Sequence, residues 1–275
     1  MEVKPGRYDL HMHTHCSDGT DSVSEVVHHV TERGLAGFSI TDHDTVAAQA
    51  EAAALAAAAD IPYVSGIELS VSSKDRDLHV LVYGYDLKHA EFLKMLEVFR
   101  ESRRERAIHM AQKLAELGVP IDIDEILKSV PSGAVGRPHL ARALIENRAV
   151  SGIREAFDKY LGADAPAYLP KYQISPNEGM DLAKRAGGVP VLAHPGSYPF
   201  EVDLAELVDA GLMGLETSYP SWDAKTTSFW RAQAKRFDLL ETGGSDYHGG
   251  NRSRITVGAA TISAEMFERL LTAQP

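Results

Sequence analysis

Histidine and carboxylate side chains recur in this chain where short apolar stretches end. Six such segments together contain seven of the twelve histidines and the carboxylate of Glu68. In one of the six, His79 lies within the apolar stretch rather than at its end. Imidazole and carboxylate groups are ligands of zinc, manganese and iron in proteins. The pattern therefore requires a fold that gathers strand ends around a shared polar site. The segments are residues 9–15, 41–44, 66–68, 78–80, 193–195 and 244–248.

Spacing within two of these segments supports a metal site. Residues i and i+2 of a strand lie on the same face, so His11 and His13 point the same way. Asp246 and His248 have the same relation if their segment is extended. A lone histidine is more often a satisfied core or surface residue. Two on one face of a strand favour a ligand pair.

Apolar stretches alternate with amphipathic helical patterns over much of the chain, which predicts an α/β fold. A capping box begins at Ser22, and the helix that follows is expected to stop at Gly34. The ligand segments come at the carboxyl ends of most predicted strands, where a (β/α) barrel places its chemistry. The pattern indicates a seven-stranded or distorted barrel. The predicted strands are 7–10, 37–41, 61–69, 78–85, 189–193, 212–217 and 239–242, and the other predicted helices are 46–59, 176–186, 204–210 and 224–236.

Residues 89–170 interrupt this alternation with helical patterns alone. One apolar stripe comprises Phe92, Leu93, Leu96 and Phe99, and a second comprises Met110, Leu114 and Leu117. Shorter helices are predicted at 122–129, 138–147 and 152–161. We interpret the segment as a small helical insertion that caps the barrel mouth. The predicted organisation is therefore a first barrel part at 1–88, the insertion at 89–170 and a second barrel part at 171–275.

Basic residues concentrate in the predicted insertion. Arg100, Arg103 and Arg104 share one helix face by their spacing. They form either a solvated surface, paired with Glu97 and Glu101, or a guanidinium clamp for phosphate. A second candidate, Arg137, precedes a helix whose first backbone N–H groups also favour anions. Lys171, just after the insertion, is a weaker candidate for the same role.

Composition excludes some classes of function. With 28 basic and 39 acidic residues, the formal net charge is −11, which argues against a broad grip on duplex nucleic acid. No apolar run reaches the roughly 20 residues of a membrane span, and the first residues lack the apolar core of a signal peptide. Cys16 is the single cysteine, so no internal disulfide can form. These features predict a cytoplasmic protein that does not bind membranes.

Taken in order, the motifs resemble those of the polymerase-and-histidinol-phosphatase (PHP) superfamily. The matching segments are Asp-Leu-His-Met-His-Thr from Asp9, Ser-Asp-Gly from Ser17, Thr-Asp-His-Asp from Thr41, Gly-Ile-Glu from Gly66, Ala-His-Pro-Gly from Ala193 and Gly-Ser-Asp-Tyr-His from Gly244. Together they are specific, although each alone is weak. The resemblance implies a distorted (β/α)7 barrel with two or three divalent ions. Among these ions Mn²⁺ is favoured over Zn²⁺ or Fe²⁺ because the ligands are mixed carboxylates and imidazoles.

The resemblance also implies a set of ligands. One ion would be held by His11, His13, Glu68 and Asp246. Glu68 would bridge to a second ion on His79 and His194, and a third would lie between Asp18, His43 and His248. Asp18 stands where some family members have histidine. Asp42 and His15 would orient ligand histidines.

Activity follows from the same resemblance, which is strongest to stand-alone members that act on nucleotides. It implies hydrolysis of the 3′-phosphate of nucleoside 3′,5′-bisphosphates, and 5′→3′ cleavage of short single-stranded RNA. The catalytic residues would be His43, Asp246 and His248, with either histidine as proton donor. The substrate contacts would be Arg103, Arg104, Arg137, Lys171, Asp18, His43 and His248.

Three alternative functions stay open at this point: a histidinol-phosphate phosphatase, an amidohydrolase acting on C–N bonds, and a non-catalytic module. The complete ligand set and the absence of a polymerase domain argue against the non-catalytic module. An amidohydrolase would leave the arginines without a clear purpose. Oligomeric state is not predictable from these patterns.

Overall fold

The strands of the protein form two sheets. The computed structural model describes residues 2–74, 76–130, 133–250 and 255–273. In one sheet, β1 (Arg7–Asp9) pairs in parallel with β2 (Gly37–Phe38) and antiparallel with β8 (Ile262–Ser263). The other sheet has the order β3-β4-β5-β6-β7. Its strands are Gly66–Ser73, Arg76–Tyr83, Val189–Leu192, Gly214–Ser218 and Leu240–Gly243.

Isolated β-bridges connect segments of the two sheets beyond the ends of the regular strand pairs. Phe38 in β2 bridges to Tyr63, and Met12 after β1 bridges to Tyr247 after β7. A further bridge joins His43 to Glu68. The structure is thus a mixed α/β arrangement, and the closed seven-stranded barrel stays a prediction. These bridges bring together segments that the sequence analysis named as metal ligands.

The pairing of β3 with β4 departs from the expected parallel arrangement. Glu68 lies opposite Leu81, and Ser70 lies opposite His79, in an antiparallel ladder. The reason is connection length, because β3 ends at Ser73 and β4 begins at Arg76. A parallel pair needs a crossover of a dozen or more residues. β4 also pairs antiparallel with β5, while β5, β6 and β7 are mutually parallel.

Helices cover the sheets close to the predicted positions. Ser22 caps α1 with the expected capping box, and Gly34 follows with φ +59°. The alanine-rich helix is shorter than predicted and begins at Gln49, whose buried amide donates to Ile40 and Gly66. No described helix is both long and apolar enough to cross a bilayer. The helices outside the predicted insertion are α1 (Val23–Glu32), α2 (Gln49–Ala58), α7 (Pro176–Arg185), α8 (Leu204–Asp209), α9 (Ala224–Arg236) and α10 (Ala264–Thr272).

One long helix replaces the two separate stripes predicted for the start of the insertion. Helix α3 (Ala90–Glu116) runs unbroken for 27 residues. Leu117, predicted as part of the second stripe, is instead the C-cap and is 44% exposed. The chain continues through α4 (Ile123–Ser129), α5 (Arg137–Glu146), α6 (Ile153–Ala156) and a π-helical turn at Phe157–Leu161.

The two halves of α3 pack in different apolar clusters. Phe92, Leu96 and Phe99 join the cluster between the five-stranded sheet and helices α7 to α9. Met110 and Leu114 join a separate cluster built from α3 to α6. The helical segment therefore has apolar packing of its own, while its division from the rest as a domain stays a prediction.

A final strand and helix follow the last predicted ligand segment, and the periodicity analysis missed both. The short β8 pairs with β1, and α10 lies over the same region. The rings of Tyr8 and Phe267 stack with centroids 4.2 Å apart, and both side chains are fully buried. This contact holds α10 against the strand that leads directly to His11 and His13.

We expect Phe267→Ala to lower the free energy of unfolding by about 3–5 kcal/mol, because the ring leaves a cavity against Tyr8. Urea denaturation followed by circular dichroism measures the change. Phe229→Ala is the matched control, since that ring is 52% exposed. The expected loss for the control is below about 1 kcal/mol. Equal losses in the two variants would contradict the packing role of α10.

Candidate metal centre and anion-binding cluster

The carboxylate of Glu68 lies at the centre of five histidines and is 1% exposed. Its Oε2 is 3.3 Å from His11 Nε2, 3.1 Å from His13 Nε2 and 3.2 Å from His43 Nδ1. Its Oε1 is 2.9 Å from His79 Nδ1 and 3.0 Å from His194 Nε2. A single carboxylate thus connects predicted ligands from four other segments of the chain.

The ligand atoms fall into three overlapping groups, each within 4.8 Å. His11, His13, Glu68 and Asp246 form the first, as the family resemblance implied. His43, Glu68 and His79 form the second, and His194 reaches the same Glu68 oxygen as His79. The third group unites His13, Asp18, His43 and His248. All nine predicted ligands therefore meet at one place.

Unsatisfied nitrogen atoms show that this cluster fits metal ions. Nδ1 of His13, of His43 and of His79 is buried without a hydrogen-bond partner. Two of these atoms nevertheless lie within 3.2 Å of Glu68 oxygens. A buried polar atom without a partner is costly, whereas a divalent cation would take such nitrogens and carboxylate oxygens together. The residues present therefore suit divalent ions.

Ionisation favours the ligand forms of Glu68, Asp246 and His43. Burial alone would raise the pKa of Glu68, but His43 and His79 hold it well below its usual value. Burial likewise opposes charge on Asp246, while His11 and His248 keep its pKa well below the ordinary range. Burial lowers the pKa of His43 well below its usual value. Carboxylates and neutral imidazoles are the forms that bind cations. At His11, His13 and His194 burial alone would lower the pKa, but the neighbouring carboxylates raise it above the usual value.

Three residues of the site have a left-handed backbone that side chains rarely adopt. The φ values are +50° at Asp44, +31° at His194 and +51° at Asp246. Such positions typically cost 1–3 kcal/mol each and persist where the surroundings impose them. At His194 the backbone N–H donates to Glu216 Oε2 at 2.7 Å, which helps to impose the geometry.

Glu216 is a functional residue that the sequence analysis missed. It lies in β6, is fully buried, and approaches Nδ1 of His11 at 3.1 Å through Oε1. Its other oxygen accepts from the backbone of His194. One carboxylate thus orients two ligands from outside the cluster, in the manner of carboxylate–histidine–metal arrangements. A glutamate between Leu215 and Thr217 in an apolar strand was the available signal.

Other residues hold the loops that carry the ligands. Tyr219 donates from its hydroxyl to Asp246 Oδ2 at 2.7 Å. Asp9 accepts from the backbone of Ser245 at 2.9 Å and of Gly258 at 2.8 Å. Burial raises the pKa of Asp9 to about 6.

The predicted orienting residues Asp42 and His15 differ from expectation. Asp42 is buried, but its hydrogen bonds hold the loop after β1 rather than a ligand ring. It accepts from the backbone and hydroxyl of Thr14 at 2.8 and 2.7 Å, and from Ser17 at 2.5 Å. His15 is exposed, and its backbone N–H donates to Asp21. The prediction for His15 is wrong because the tight turn after Thr14 directs that residue to solvent.

Arg103 is fixed beside the metal cluster. Its Nε donates to Asp44 Oδ2 at 2.9 Å, its Nη2 contacts the same oxygen, and Nη2 donates to Ser70 Oγ at 2.9 Å. Burial alone would raise the pKa of Asp44, but Arg103 and Lys171 hold it below its usual value. Asp44 directly follows the ligand His43, so this ion pair couples α3 to the metal cluster.

Two further arginines lie against one aromatic ring. The guanidinium carbons of Arg106 and Arg137 are each 5.5 Å from the centroid of Tyr168. Arg137 also lies 5.3 Å from the ring of Phe157. Burial, followed by the charges of Arg137 and Arg103, lowers the pKa of Arg106 to about 10. Both guanidinium groups are held in place by backbone oxygens, because Arg106 donates to Leu169 at 2.6 Å and Arg137 donates to Leu161 at 3.3 Å.

Lys171 completes this cluster from the segment that leads to α7. It lies 3.6 Å from Asp77 and is 12% exposed. Burial, with Arg103 adding to it, lowers the pKa of Lys171 to about 8. We call Arg103, Arg106, Arg137 and Lys171 the basic cluster.

Two of the predicted arginines do not take part in the basic cluster. Arg100 pairs with Glu97 at 3.4 Å and Glu101 at 3.6 Å, as a solvated helix face would. Arg104 is exposed on α3. Arg106 takes its place, because it follows Arg103 by three residues and shares its face. The prediction of Arg104 as a substrate contact has no support from its exposed position.

The comparison with known families agrees with this arrangement. A family model described as the PHP domain matches residues 9–162. The chain belongs to the PHP domain family. A 3′,5′-nucleoside bisphosphate phosphatase of Chromobacterium violaceum is 33% identical over 256 residues, covering 91% of this chain and 90% of that protein. A 5′-3′ exoribonuclease of Haemophilus influenzae is 30% identical over 250 residues, covering 88% of this chain and 90% of that protein.

A solved structure has the same fold over nearly the whole length of this chain. The protein, from Bifidobacterium adolescentis, is described as a metal-dependent phosphoesterase. It superposes with a TM-score of 0.90 at 30% sequence identity, covering 98% of this chain and 97% of that one. The relatives thus confirm the family resemblance and fit a metal-dependent phosphoesterase of the PHP family.

We expect Glu68→Gln to lose the ion that this carboxylate would share, because an amide cannot bridge two cations as a carboxylate does. Metal content after gel filtration in manganese-containing buffer, measured by mass spectrometry, gives the occupancy per chain. Glu97→Gln is the matched control, because that side chain is 66% exposed on α3. Full occupancy in the Glu68 variant would contradict the bridging role.

Glu216→Gln should weaken metal affinity roughly 10- to 100-fold without abolishing binding at saturating metal. The amide keeps the size of the side chain but accepts less strongly from His11 and the backbone of His194. Titration of the metal-free protein with Mn²⁺, followed by calorimetry, measures the dissociation constants. Glu241→Gln on the neighbouring strand β7 is the control, being 28% exposed and paired with Arg231. If the two variants bind Mn²⁺ with the same affinity, Glu216 does not orient the metal ligands.

Proposed function

We propose that this PHP-family protein removes the 3′-phosphate of nucleoside 3′,5′-bisphosphates, leaving a nucleoside 5′-monophosphate and phosphate. The observation that carries the proposal is the placement of the basic cluster next to the metal ligands. Glu68 and Ser70 share a face of β3, as His79 and Asp77 share a face of β4. Ser70 and Asp77 contact Arg103 and Lys171, so the anion site begins about 7 Å further along the same face.

Two phosphates on one ribose suit this arrangement. The metal cluster would hold the phosphate that is cleaved, and the basic cluster would hold the other as an anchor. Guanidinium groups bind phosphate through paired N–H donors, and Arg103 is already fixed by Asp44. Lys171, with a pKa of about 8, is mainly protonated at neutral pH. Histidinol phosphate has one phosphate and a cation, so it would leave the basic cluster without a partner.

Two or three divalent ions are the cofactors we propose, with Mn²⁺ first and Zn²⁺ or Fe²⁺ as alternatives. When bound, such ions stabilise charge on phosphate oxygens and activate water. His43 and His248, 16% and 15% exposed, retain access to the substrate side. Of the two predicted donors, His248 would supply the proton to the leaving oxygen, because burial lowers the pKa of His43 well below its usual value. His248 is oriented by its Nδ1 contact of 2.8 Å with the backbone oxygen of Asp246.

A second activity is favoured by the exoribonuclease relative. A short single-stranded RNA with a 5′-phosphate would place that phosphate on the basic cluster and its first internucleotide phosphate at the metals. Cleavage would then release one nucleotide at a time from the 5′ end. An amidohydrolase reaction on C–N bonds is the less favoured alternative, because it gives no reason for a second anion site.

The test is phosphate release from purified, manganese-loaded protein. We expect kcat/KM for adenosine 3′,5′-bisphosphate to exceed that for 3′-AMP and for histidinol phosphate by tenfold to over a hundredfold. The range follows from the loss of one charge-assisted hydrogen bond, roughly 1.5–3 kcal/mol. Chromatography should identify 5′-AMP as the product. Equal or better turnover of either monophosphate would overturn the proposed anchor.

Matched arginine variants separate the anchor from the metal site. Arg137→Ala should lower kcat/KM for the bisphosphate by the same range, while 3′-AMP hydrolysis and metal content stay unchanged. Arg104→Ala is the control, and its activity should equal that of the wild type. Equal losses on both substrates in the Arg137 variant would indicate a general structural role instead.

A further inference from the structure

A groove of about 810 Å³ lies beside the metal centre, and none of the predicted metal ligands or basic-cluster residues lines it. The turn after His194, the segment before α8, helix α9 and the tip of the β3–β4 hairpin form its walls. Its lining is rich in aromatic rings, among them Tyr198, Phe200, Phe229, Trp230 and Phe237. None of these residues takes part in the proposed chemistry.

The groove adjoins two of the predicted metal ligands, His79 and His194. Pro195 and Gly196, which line it, directly follow the ligand His194. Tyr198 accepts at its hydroxyl from the backbone of the ligand His79 at 2.9 Å. Its ring is 5.3 Å from that of His194 and 5.4 Å from that of Phe200. Tyr198 therefore contacts both a predicted ligand and a ring that lines the groove.

Cations are placed on the aromatic rings of the groove. The guanidinium of Arg76 lies 4.9 Å from the centroid of Phe200, and that of Arg236 lies 5.1 Å from that of Phe237. Both arginines are exposed, so their outer faces are open to a ligand. Phe229 is 52% exposed and meets Trp230 edge-on at 5.1 Å. An exposed phenylalanine beside a tryptophan is a stacking surface for a flat ring.

The carboxylates that line the groove include one with a structural role. Asp203 caps α8 by accepting from the backbone of Glu206 at 3.1 Å, and it lies 3.8 Å from Lys74. Lys74 also contacts Glu206 at 2.6 Å. Arg76 and Arg236 are thus the lining cations that face aromatic rings, and Glu201 is the second lining carboxylate.

We propose that this groove binds the single-stranded RNA segment on the 3′ side of the cleaved phosphate, stacking its bases on the exposed rings. Proteins bind single strands through aromatic stacking together with cationic contacts to the backbone. The basic cluster borders His43 and His79, whereas the groove starts at His194. A 5′-anchored strand crossing the metals would continue into it. The inference rests on the proposed exonuclease activity and extends it from mononucleotides to longer strands.

Substrate length separates the groove from the catalytic centre. The double variant Phe229→Ala/Arg236→Ala should lose about tenfold or more in kcat/KM on a 5′-phosphorylated octaadenylate. Its activity on adenosine 3′,5′-bisphosphate should be that of the wild type. Arg231→Ala, on the same helix but paired with Glu241 at 3.5 Å, is the control. If kcat/KM of the double variant on the octamer equals that of the wild type, the proposal that the groove binds RNA is wrong.

A binding measurement distinguishes failure of the groove from failure of the proposed function. Fluorescence anisotropy of a 3′-labelled octamer with phosphorothioate linkages reports affinity without turnover. Weaker binding by the double variant than by the wild type supports the groove, even if the bisphosphate proves not to be a substrate. Equal binding by both proteins, or absence of binding by the wild type, would assign the exposed rings to another partner and overturn the inference.

Discussion

A single buried carboxylate, Glu68, organises the centre of this protein. Removing a charge from water costs several kcal/mol unless partners surround it. Here the partners are histidines delivered by the loops after β1, β2 and β5 and by β4 itself. The centre of the molecule is therefore held by charge and coordination, in contrast to the apolar clusters around it. Positioning of the loops is inseparable from the ionisation of this one group.

Two further carboxylates, outside the ligand set, connect the centre to the scaffold. Glu216 ties the ring of His11 to the backbone of His194, so two ligands from distant parts of the chain have one reference point. Asp44 follows a ligand and holds Arg103, so the metal centre and the basic cluster share a common support. A shift of the metal centre would reach the basic cluster directly, because Asp44, which holds Arg103, is the residue next to His43.

Much of this organisation was predictable because it depends on local patterns. The i, i+2 spacing of His11 and His13 in a strand predicts a pair of ligands, and the capping-box pattern of Ser22 and Glu25 predicts the start of a helix. The antiparallel direction of β3 and β4 was not predictable, because it depends on the length of the connection between them, and the sequence pattern did not determine that length. Arg106 and Glu216 were missed for another reason. The sequence does not distinguish a buried basic or acidic residue from an exposed one. The role of such a residue depends on its neighbours in the folded structure.

Helix α3 connects the helical segment with the rest of the protein, although the sequence pattern places a boundary at its start. At 27 residues it is about 40 Å long and contributes side chains to two separate apolar clusters. Arg103 lies between those two contributions, where the helix passes the metal centre. A rigid rod fixed at both ends cannot bend independently at its middle. Substitutions in the helical layer, far from any predicted ligand, would therefore shift Arg103 and the ion pair that it forms with Asp44 beside the metal centre.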